Sequence, residues 1–412
     1  MKILLINKFL YMKGGDAVST IATGNLLRNH GHQVSFWGME HPKNPPYPYR
    51  HLFIPYLDFN QPGGAVHQLS LAFNILYSME AKRKIRKLIE IDKPDIVHLN
   101  NFAHQISPSI LDVFDEHRIP VVMTMRDYKL VCPSYSMLGP DGKQCEKCKN
   151  GKFYWCFLTK CVKGSYAKSL LNTLEMYFHR SIHIYDKIDI FISPSEFLKK
   201  KVKEMGFKKE VVCLPNFIEI NEFIPQFAPR GNRFVYFGRL SREKGIFTLI
   251  EAMKGLKCDL AIIGEGPIKG SLMAKVEKEG LDNICFPGYK TGVNLHAEIK
   301  NSIAAILPSE CYENNPRTVM ESFALGKPVI GSRIGGIPEL VIDGETGLTY
   351  NPGDAGDLRS KIELLLGDAA LVIKMGKRAR KFVEDNLNPG KHYNELIEVY
   401  QQAMEKSNWK RR

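Results

Sequence analysis

Apolar residues along this 412-residue chain gather into short unbroken runs separated by stretches of helical spacing, and the alternation occurs twice. Short apolar runs bounded by glycine or polar turns suit strands buried on both faces of a parallel sheet. In the first half these runs lie at 2–6, 33–39, 95–101, 120–128 and 189–195, with 211–218 leading out. Helical spacing predicts helices over 17–29, 65–91, 165–185 and 196–205, whereas 41–64, rich in Pro, Tyr and Asn, reads as a long loop. Pro225 and Pro229 break all periodicity across 221–232, which marks a linker. The pattern then restarts with runs at 233–240, 259–267, 284–290 and 303–308, and three helical stretches follow Asp354. Two strand–helix series imply an α/β protein of two Rossmann-like domains facing across a central cleft. Neither first strand leads into G-x-G-x-x-G, which argues against a dehydrogenase.

The most informative stretch runs from Ser309 to Pro328. It reads as a strand end, an acidic loop and a short helix. Asn315 can cap that helix, Pro316 fits its first position, Gly326 can close it and Pro328 stops it. The first N–H groups of a helix lack internal partners and sit at the positive end of its dipole, so this end suits phosphate. Glu313 lies at its mouth and Glu321 inside it. Such a layout fits a ligand with a sugar at one end, a diphosphate in the middle and a ribose at the other. The plain alternative is two surface glutamates on an amphipathic helix.

Other candidate positions sit where expected strands end. Gly14 and Gly15 follow the first strand and let the backbone approach a ligand, or serve an ordinary βα turn. Asn100 lies at the end of 95–101 and His104 in the loop after it, and Arg126 and Asp127 end 120–128. Imidazole suits contact with a hydroxyl and proton transfer, although a lone His is more often structural. Arg126 cannot act as a base but can hold a carboxylate or phosphate, and Asp127 can bind hydroxyls, pair with Arg126 or cap a turn. Arg239 and Lys244 flank the turn after the first strand of the second half, where two cations can bracket a diphosphate. Gly264 and Glu265 close the next strand and Tyr289 the third.

Five of the nine cysteines fall between Cys132 and Cys161, and Cys145-Glu146-Lys147-Cys148 has the spacing of a zinc knuckle. Cys132, Cys145, Cys148 and Cys161 are the expected ligands of a structural zinc, with Cys156 as the replacement; separate buried thiols are the alternative. Four sulfur ligands would leave no open position for catalysis.

A formal charge of +13 asks for an acidic partner, such as a phosphorylated substrate or an anionic membrane surface. No nucleic-acid recognition motif accompanies it. Lys82, Arg83, Lys84, Arg86 and Lys87 form either a solvated helix face or a lipid-docking one. The tail from Lys406 through Trp409 to Arg412 reads as a solvated end that can also touch a membrane interface. No run is long enough to span a membrane and the apolar start is too short for a signal peptide, so a cytoplasmic protein is expected.

Glu313 and Glu321 match the Glu-x7-Glu motif of retaining glycosyltransferases of family 4, and 326–332, 335–339 and 344–348 resemble that family's continuation. The resemblance is most specific from Arg239 through Gly347. It implies GT-B architecture with domains over 1–216 and 217–390, the last helix (391–412) packing back on the first, and the cysteine-rich insert (about 132–164) as a lid beside an acceptor cleft. It also implies a UDP- or GDP-sugar donor, no catalytic metal, and a saccharide or polyprenyl-linked acceptor at the inner face of the membrane, in capsule, exopolysaccharide or lipopolysaccharide assembly. Glu313 would meet the donor sugar, Glu321 the ribose, Arg239 and Lys244 the diphosphate, and the N–H groups around Asn314, Asn315, Pro316, Arg317 and Thr318 the distal phosphate. The chain departs from relatives in having Asn100 where a second His often stands and Arg126 where His precedes Asp. A nucleotide-sugar 2-epimerase and a non-enzymatic zinc-stabilised binding module are the competing readings.

Overall fold

The computed structural model describes residues 1–57 and 72–409. Its framework is two six-stranded, wholly parallel sheets. The first contains β1 (Lys2–Ile6), β2 (Gln33–Trp37), β3 (Ile96–Leu99), β4 (Val121–Thr124), β5 (Ile190–Ser193) and β6 (Val211–Cys213), in the order β2-β1-β3-β4-β5-β6. The second contains β7 (Arg233–Phe237), β8 (Asp259–Ile263), β9 (Ile284–Gly288), β10 (Ala305–Leu307), β11 (Val329–Ser332) and β12 (Gly347–Tyr350), in the order β12-β11-β10-β7-β8-β9. Every residue of β3, β4 and β5 is buried, as helices on both faces require, and this is why the strands read as unbroken apolar runs. Chain direction across the sheet reverses between β1 and β3 and again between β7 and β10. The carboxyl ends of these four strands therefore border the two crevices where open α/β sheets bind ligands.

β11 and β12 are strands that hydrophobic patterning does not announce. A Cβ on Gly331 would lie 2.7 Å from Ile337 Cγ2, and one on Gly347 would lie 2.0 Å from the Val329 carbonyl oxygen. Close backbone approach replaces side-chain bulk in this part of the sheet. Residues 65–71 of the helix expected over 65–91 lie outside the described residues; the described part is helical over 72–76, breaks at Tyr77 and Ser78, and resumes over Met79–Asp92, with Ser78 accepting from the Ala81 N–H at 3.2 Å. Its cations are largely engaged. Lys82 reaches Asp112 at 3.2 Å and Glu116 at 3.3 Å, Lys84 reaches Glu80 at 3.2 Å, and Arg86 pairs with Glu116. Arg83 and Lys87 are exposed on the same helix.

After Asp354 come helices Ala355–Gly367, Ala369–Asn386 and Pro389–Trp409. The last returns to the first sheet, where Leu396, Val399, Tyr400 and Ala403 join that lobe's core. The Tyr400 hydroxyl meets His98 Nδ1 at 2.8 Å, and Tyr393 stacks on His30 with ring centroids 3.6 Å apart.

Candidate functional site

Between the two sheets lies a cleft of about 520 Å³, lined from one side by Gly15, Arg126 and Asp127 and from the other by Arg239, Lys244, Glu313 and Arg317. The sequence expects these residues in one place from strand ends alone. The fold brings them there because the carboxyl edges of both sheets face each other.

Glu313 is the centre of the second lobe's wall. Lys244 Nζ donates to its Oε1 at 2.5 Å and the buried Ser309 hydroxyl donates to the same oxygen at 2.6 Å. Burial pushes the Glu313 carboxyl up, but the Lys244 ammonium and these hydrogen bonds more than offset it and hold it below the usual carboxylate range. Burial likewise pulls Lys244 down, and the Glu313 charge reverses that and raises it. The two shifts agree: both groups are charged at neutral pH. Arg239 pairs with Glu243 but keeps two-thirds of its side chain exposed to the cleft mouth.

The adjacent helix runs Arg317–Ala324, with Pro316 as its N-cap, one position later than the sequence implies. Asn315 does not cap it. Its side-chain oxygen accepts from the Asn216 N–H at 3.2 Å, so it ties the lobes together. Asn314 does the same: Tyr128 donates its hydroxyl to Asn314 Oδ1 at 2.9 Å, and Asn314 Nδ2 donates to the Arg126 carbonyl at 3.1 Å. The open donors at this end are consequently the N–H groups of Arg317 and Thr318. Glu321 lies one turn inside with its Oε1 3.4 Å from Arg317 Nε, its carboxyl raised by burial against that cation. Gly326 adopts φ +75° just past the helix end, as a closing residue must.

On the first lobe, Arg126 is held by amides. Its Nη2 donates to Asn100 Oδ1 at 2.8 Å and its Nη1 to Asn216 Oδ1 at 2.6 Å. Burial pulls the guanidinium down to about 10, Asp16 opposes this, and Arg317 across the cleft adds to it. Asp127 does not pair with Arg126; it accepts from the Lys129 N–H at 2.9 Å and is raised by burial. A positioned cation with neutral partners, facing a second cation and a helix N-terminus, makes a strong anion site.

Several expected positions lie elsewhere. His104 is absent from the cleft lining; it sits behind Tyr135, at φ +67°, with Nε2 3.2 Å from Glu175 Oε2. Burial and then Lys129 lower its pKa, and it sits at the edge of the buried Lys129–Glu175 pair. Glu265 turns to Lys269 at 2.6 Å and Tyr289 is exposed, both outside the cleft lining. Gly14 is extended at the N-cap of helix Gly15–Asn29, while a Cβ on Gly15 would touch Arg317 at 3.7 Å, so the two lobes meet at this glycine.

The zinc expectation for Cys132, Cys145, Cys148 and Cys161 finds no support. Among the described residues, no group of three or more His, Cys, Asp or Glu is placed to hold a metal ion. The turn after helix Tyr154–Leu158 carries Cys161 back so that its N–H bonds the Cys156 carbonyl at 3.2 Å and its sulfur meets the Cys156 sulfur at 3.0 Å. The Cys132 sulfur lies 3.3 Å from the Ser134 hydroxyl.

Ser309, Tyr128 and Asn216 are the site residues that sequence reading misses, since single polar residues carry no periodic signal. Glycines supply a clearer one. A Cβ on Gly336 would lie 1.9 Å from the Asn314 carbonyl oxygen, and Gly264, at φ +146°, has no room either, its Cβ falling 1.9 Å from the Gly238 carbonyl oxygen. Gly264→Ala is expected to destabilise the second lobe by more than the strained φ alone, about 1–3 kcal/mol, a loss read from the denaturation midpoint. An unchanged midpoint would mean that the β7 and β8 loops are free to separate.

With this geometry in view, comparison with known proteins is direct. The signature "Glycosyltransferase Family 4" matches residues 13–222, about half of the chain, and "Glycosyl transferases group 1" matches 217–382. A protein of the Klebsiella pneumoniae cps region is 26% identical over 354 residues, covering 82% of this chain and 87% of its own. An uncharacterized glycosyltransferase of Methanocaldococcus jannaschii is 27% identical over 222 residues, 54% of this chain and 62% of its own length. In solved structures, Anabaena HepE in complex with UDP and glucose superposes with a TM-score of 0.67 at 16% identity, over 97% of this chain and 99% of its own.

Proposed function

The chain belongs to glycosyltransferase family 4, and we propose that it is a retaining enzyme that moves a sugar from a UDP- or GDP-sugar to a saccharide or polyprenyl-linked saccharide in bacterial surface polysaccharide assembly. The observation that carries this reading is the Lys244–Glu313 pair at 2.5 Å beside an open helix N-terminus, facing the first lobe's Arg126 and Asp127 across one cleft. Two neighbours support the chemistry: HepE was solved in complex with UDP and glucose, and the Klebsiella relative is a protein of the cps region.

In this reading the donor diphosphate lies between Arg239, Lys244 and the Arg317 and Thr318 N–H groups, with Glu321 at the ribose and Glu313 at the sugar. The bond from the anomeric carbon to the β-phosphate oxygen breaks as an acceptor hydroxyl oxygen bonds to that carbon from the same face. The hydroxyl proton passes to the departing phosphate oxygen, and a nucleoside diphosphate leaves. Arg239, Lys244 and the helix end stabilise its developing charge without a metal-ligating carboxylate pair. Asp127 binds acceptor hydroxyls, and Arg126 binds an anionic group on the acceptor or donor. Among the described residues no helix is long and apolar enough to cross a membrane. In this reading a lipid-linked acceptor is met at the inner membrane face.

Thermal melting with UDP, GDP, ADP and CMP, without added divalent metal, tests the donor site. One nucleotide at about a hundred times its dissociation constant is expected to add about 2.7 kcal/mol and raise the melting temperature clearly. Folded protein that responds to none of them would remove the donor site, and release of epimerised free sugar without transfer would favour the 2-epimerase reading.

A further inference from the structure

Helix Tyr166–Ser181 is inside out. The face it turns inward is mostly polar: Ser169, Asn172, Thr173, Glu175 and His179 are buried, with Met176 the one apolar residue among them. Polar contacts hold this face, with Asn172 Nδ2 donating to the Pro133 carbonyl at 3.0 Å, Lys129 Nζ donating to Glu175 at 2.6 Å and His179 Nε2 meeting the Leu76 carbonyl at 2.8 Å, while Glu175 Oε1 and His179 Nδ1 have no hydrogen-bond partner among the described residues. The register of the helix is therefore set by polar contacts, and its apolar residues are left outside. Tyr166, Leu170, Leu174, Tyr177 and Phe178 form an exposed stripe at helical spacing, with Leu170 42% and Leu174 52% exposed. Helix Tyr154–Leu158 packs beside it and adds exposed Tyr154 and Leu158.

The charge around this stripe has one sign. From 147 to 183 the chain carries six lysines, one arginine and a single acid, Glu175, which is the buried partner of Lys129. Lys149, Lys152, Lys168 and Arg180 are exposed along the edge. A cavity of about 710 Å³ next to the stripe is lined by Arg180, Lys208 and Lys209, the last paired with Asp186 at 3.0 Å.

We propose that this face, helix Tyr166–Ser181 with helix Tyr154–Leu158 and their lysine rim, docks on a bilayer containing anionic phospholipid. Aromatic and aliphatic side chains mixed on one helix face suit the headgroup boundary, and long lysine side chains place their charge among phosphates while their stems cover apolar surface. The rim's uniform charge complements an anionic surface and gives no pattern of alternating sign that would fix one protein partner. The insert that carries Tyr154 and Leu158 also lines the cleft with Tyr135, Ser136 and Leu138, so it links the docked face to the acceptor side. The inference deepens the proposed function and rests on it for the acceptor's being lipid-linked; docking itself does not require transfer.

The test is co-sedimentation of the full chain with phosphatidylcholine vesicles, with and without phosphatidylglycerol. Wild-type protein is expected to bind only the anionic vesicles. Leu170→Glu/Leu174→Glu, whose side chains are exposed and tolerate polarity, should abolish binding and retain the wild-type melting temperature. Lys152→Glu/Lys168→Glu should weaken it at least about twentyfold, since each cation near an anionic surface is worth about fivefold. Lys374→Glu/Lys377→Glu on helix Ala369–Asn386 changes net charge equally and should leave binding within about fivefold of wild type. Failure of wild type to prefer anionic vesicles, equal binding by the leucine variant, or a lipid-free dimer that this variant dissolves would each overturn the proposal. Transfer to a soluble saccharide is measured alongside: transfer without vesicle binding rejects the docking face alone, and vesicle binding without transfer rejects the enzymatic reading alone.

Discussion

Glu313→Gln is expected to lower kcat for sugar transfer by about 10²–10³-fold, the loss typical of removing one group positioned against transition-state charge. Gln keeps the size and one acceptor oxygen, so the Ser309 hydroxyl retains a partner. The ionic half of the Lys244 contact at 2.5 Å is lost, together with the carboxylate that we propose faces the donor sugar. The stability cost should be about 1–3 kcal/mol, because the Glu313 and Lys244 side chains are each mostly buried and the ammonium is left with a neutral partner. The pH dependence carries a sign. Folding depresses the Glu313 carboxyl, so its contribution is complete above its unfolded value of about 4.3 and disappears as pH falls below it. Lys244 is raised by folding, so its contribution is complete below about 10.4 and is lost at higher pH. Wild-type stability should show this acid-side loss from the pair and the Gln variant should lack it. A variant that folds and transfers sugar at the wild-type rate would take Glu313 out of the site.

Glu175→Gln should cost the most stability, about 3–5 kcal/mol, since it leaves Lys129 as an uncompensated buried cation. Glu175 has no exposed surface and Lys129 is 4% exposed. Burial pushes the Glu175 carboxyl up, but Lys129 and then His104 overcome this and hold it well below the usual range. The stability it supplies is thus present above about pH 4.3 and lost on further acidification. His104 and His179, both lowered by burial, act in the same direction from about 6.5 downward, because the unfolded chain takes up their protons first. Urea denaturation reads the midpoint. Glu175→Gln/Lys129→Met should be more stable than Glu175→Gln alone, because it removes the stranded charge. A single variant as stable as wild type would mean that the pair contributes nothing to folding.

The two-lobed α/β framework is legible in the chain because burial on both faces of a parallel strand leaves a local mark, the unbroken run at Lys2–Ile6 or Asp259–Ile263. β11 and β12 escape that reading because Gly331 and Gly347 exchange bulk for close backbone approach. Asp127 and Arg126 are recognisable as cleft residues because strand ends predict where side chains collect. Their partners are not recognisable: Arg126 takes Asn100 and Asn216, and Asp127 takes its own turn. His104 shows the limit most clearly, since only Glu175, 71 positions away, explains why it turns from the cleft (175 minus 104).

By itself the sequence determined the number of lobes, the strand ends at which chemistry gathers, the helix after Pro316 and the glutamates flanking its start, since all of these follow from local spacing and backbone preference. Tertiary structure alone decided that Lys244 rather than Arg239 meets Glu313, that Asn314 and Asn315 hold the lobes together, that Cys161 turns to Cys156, and that helix Tyr166–Ser181 shows its apolar face outward. Periodicity reveals that a helix has two faces. Which of them is buried depends on what the rest of the chain places against it, and here a buried lysine draws the polar face inward.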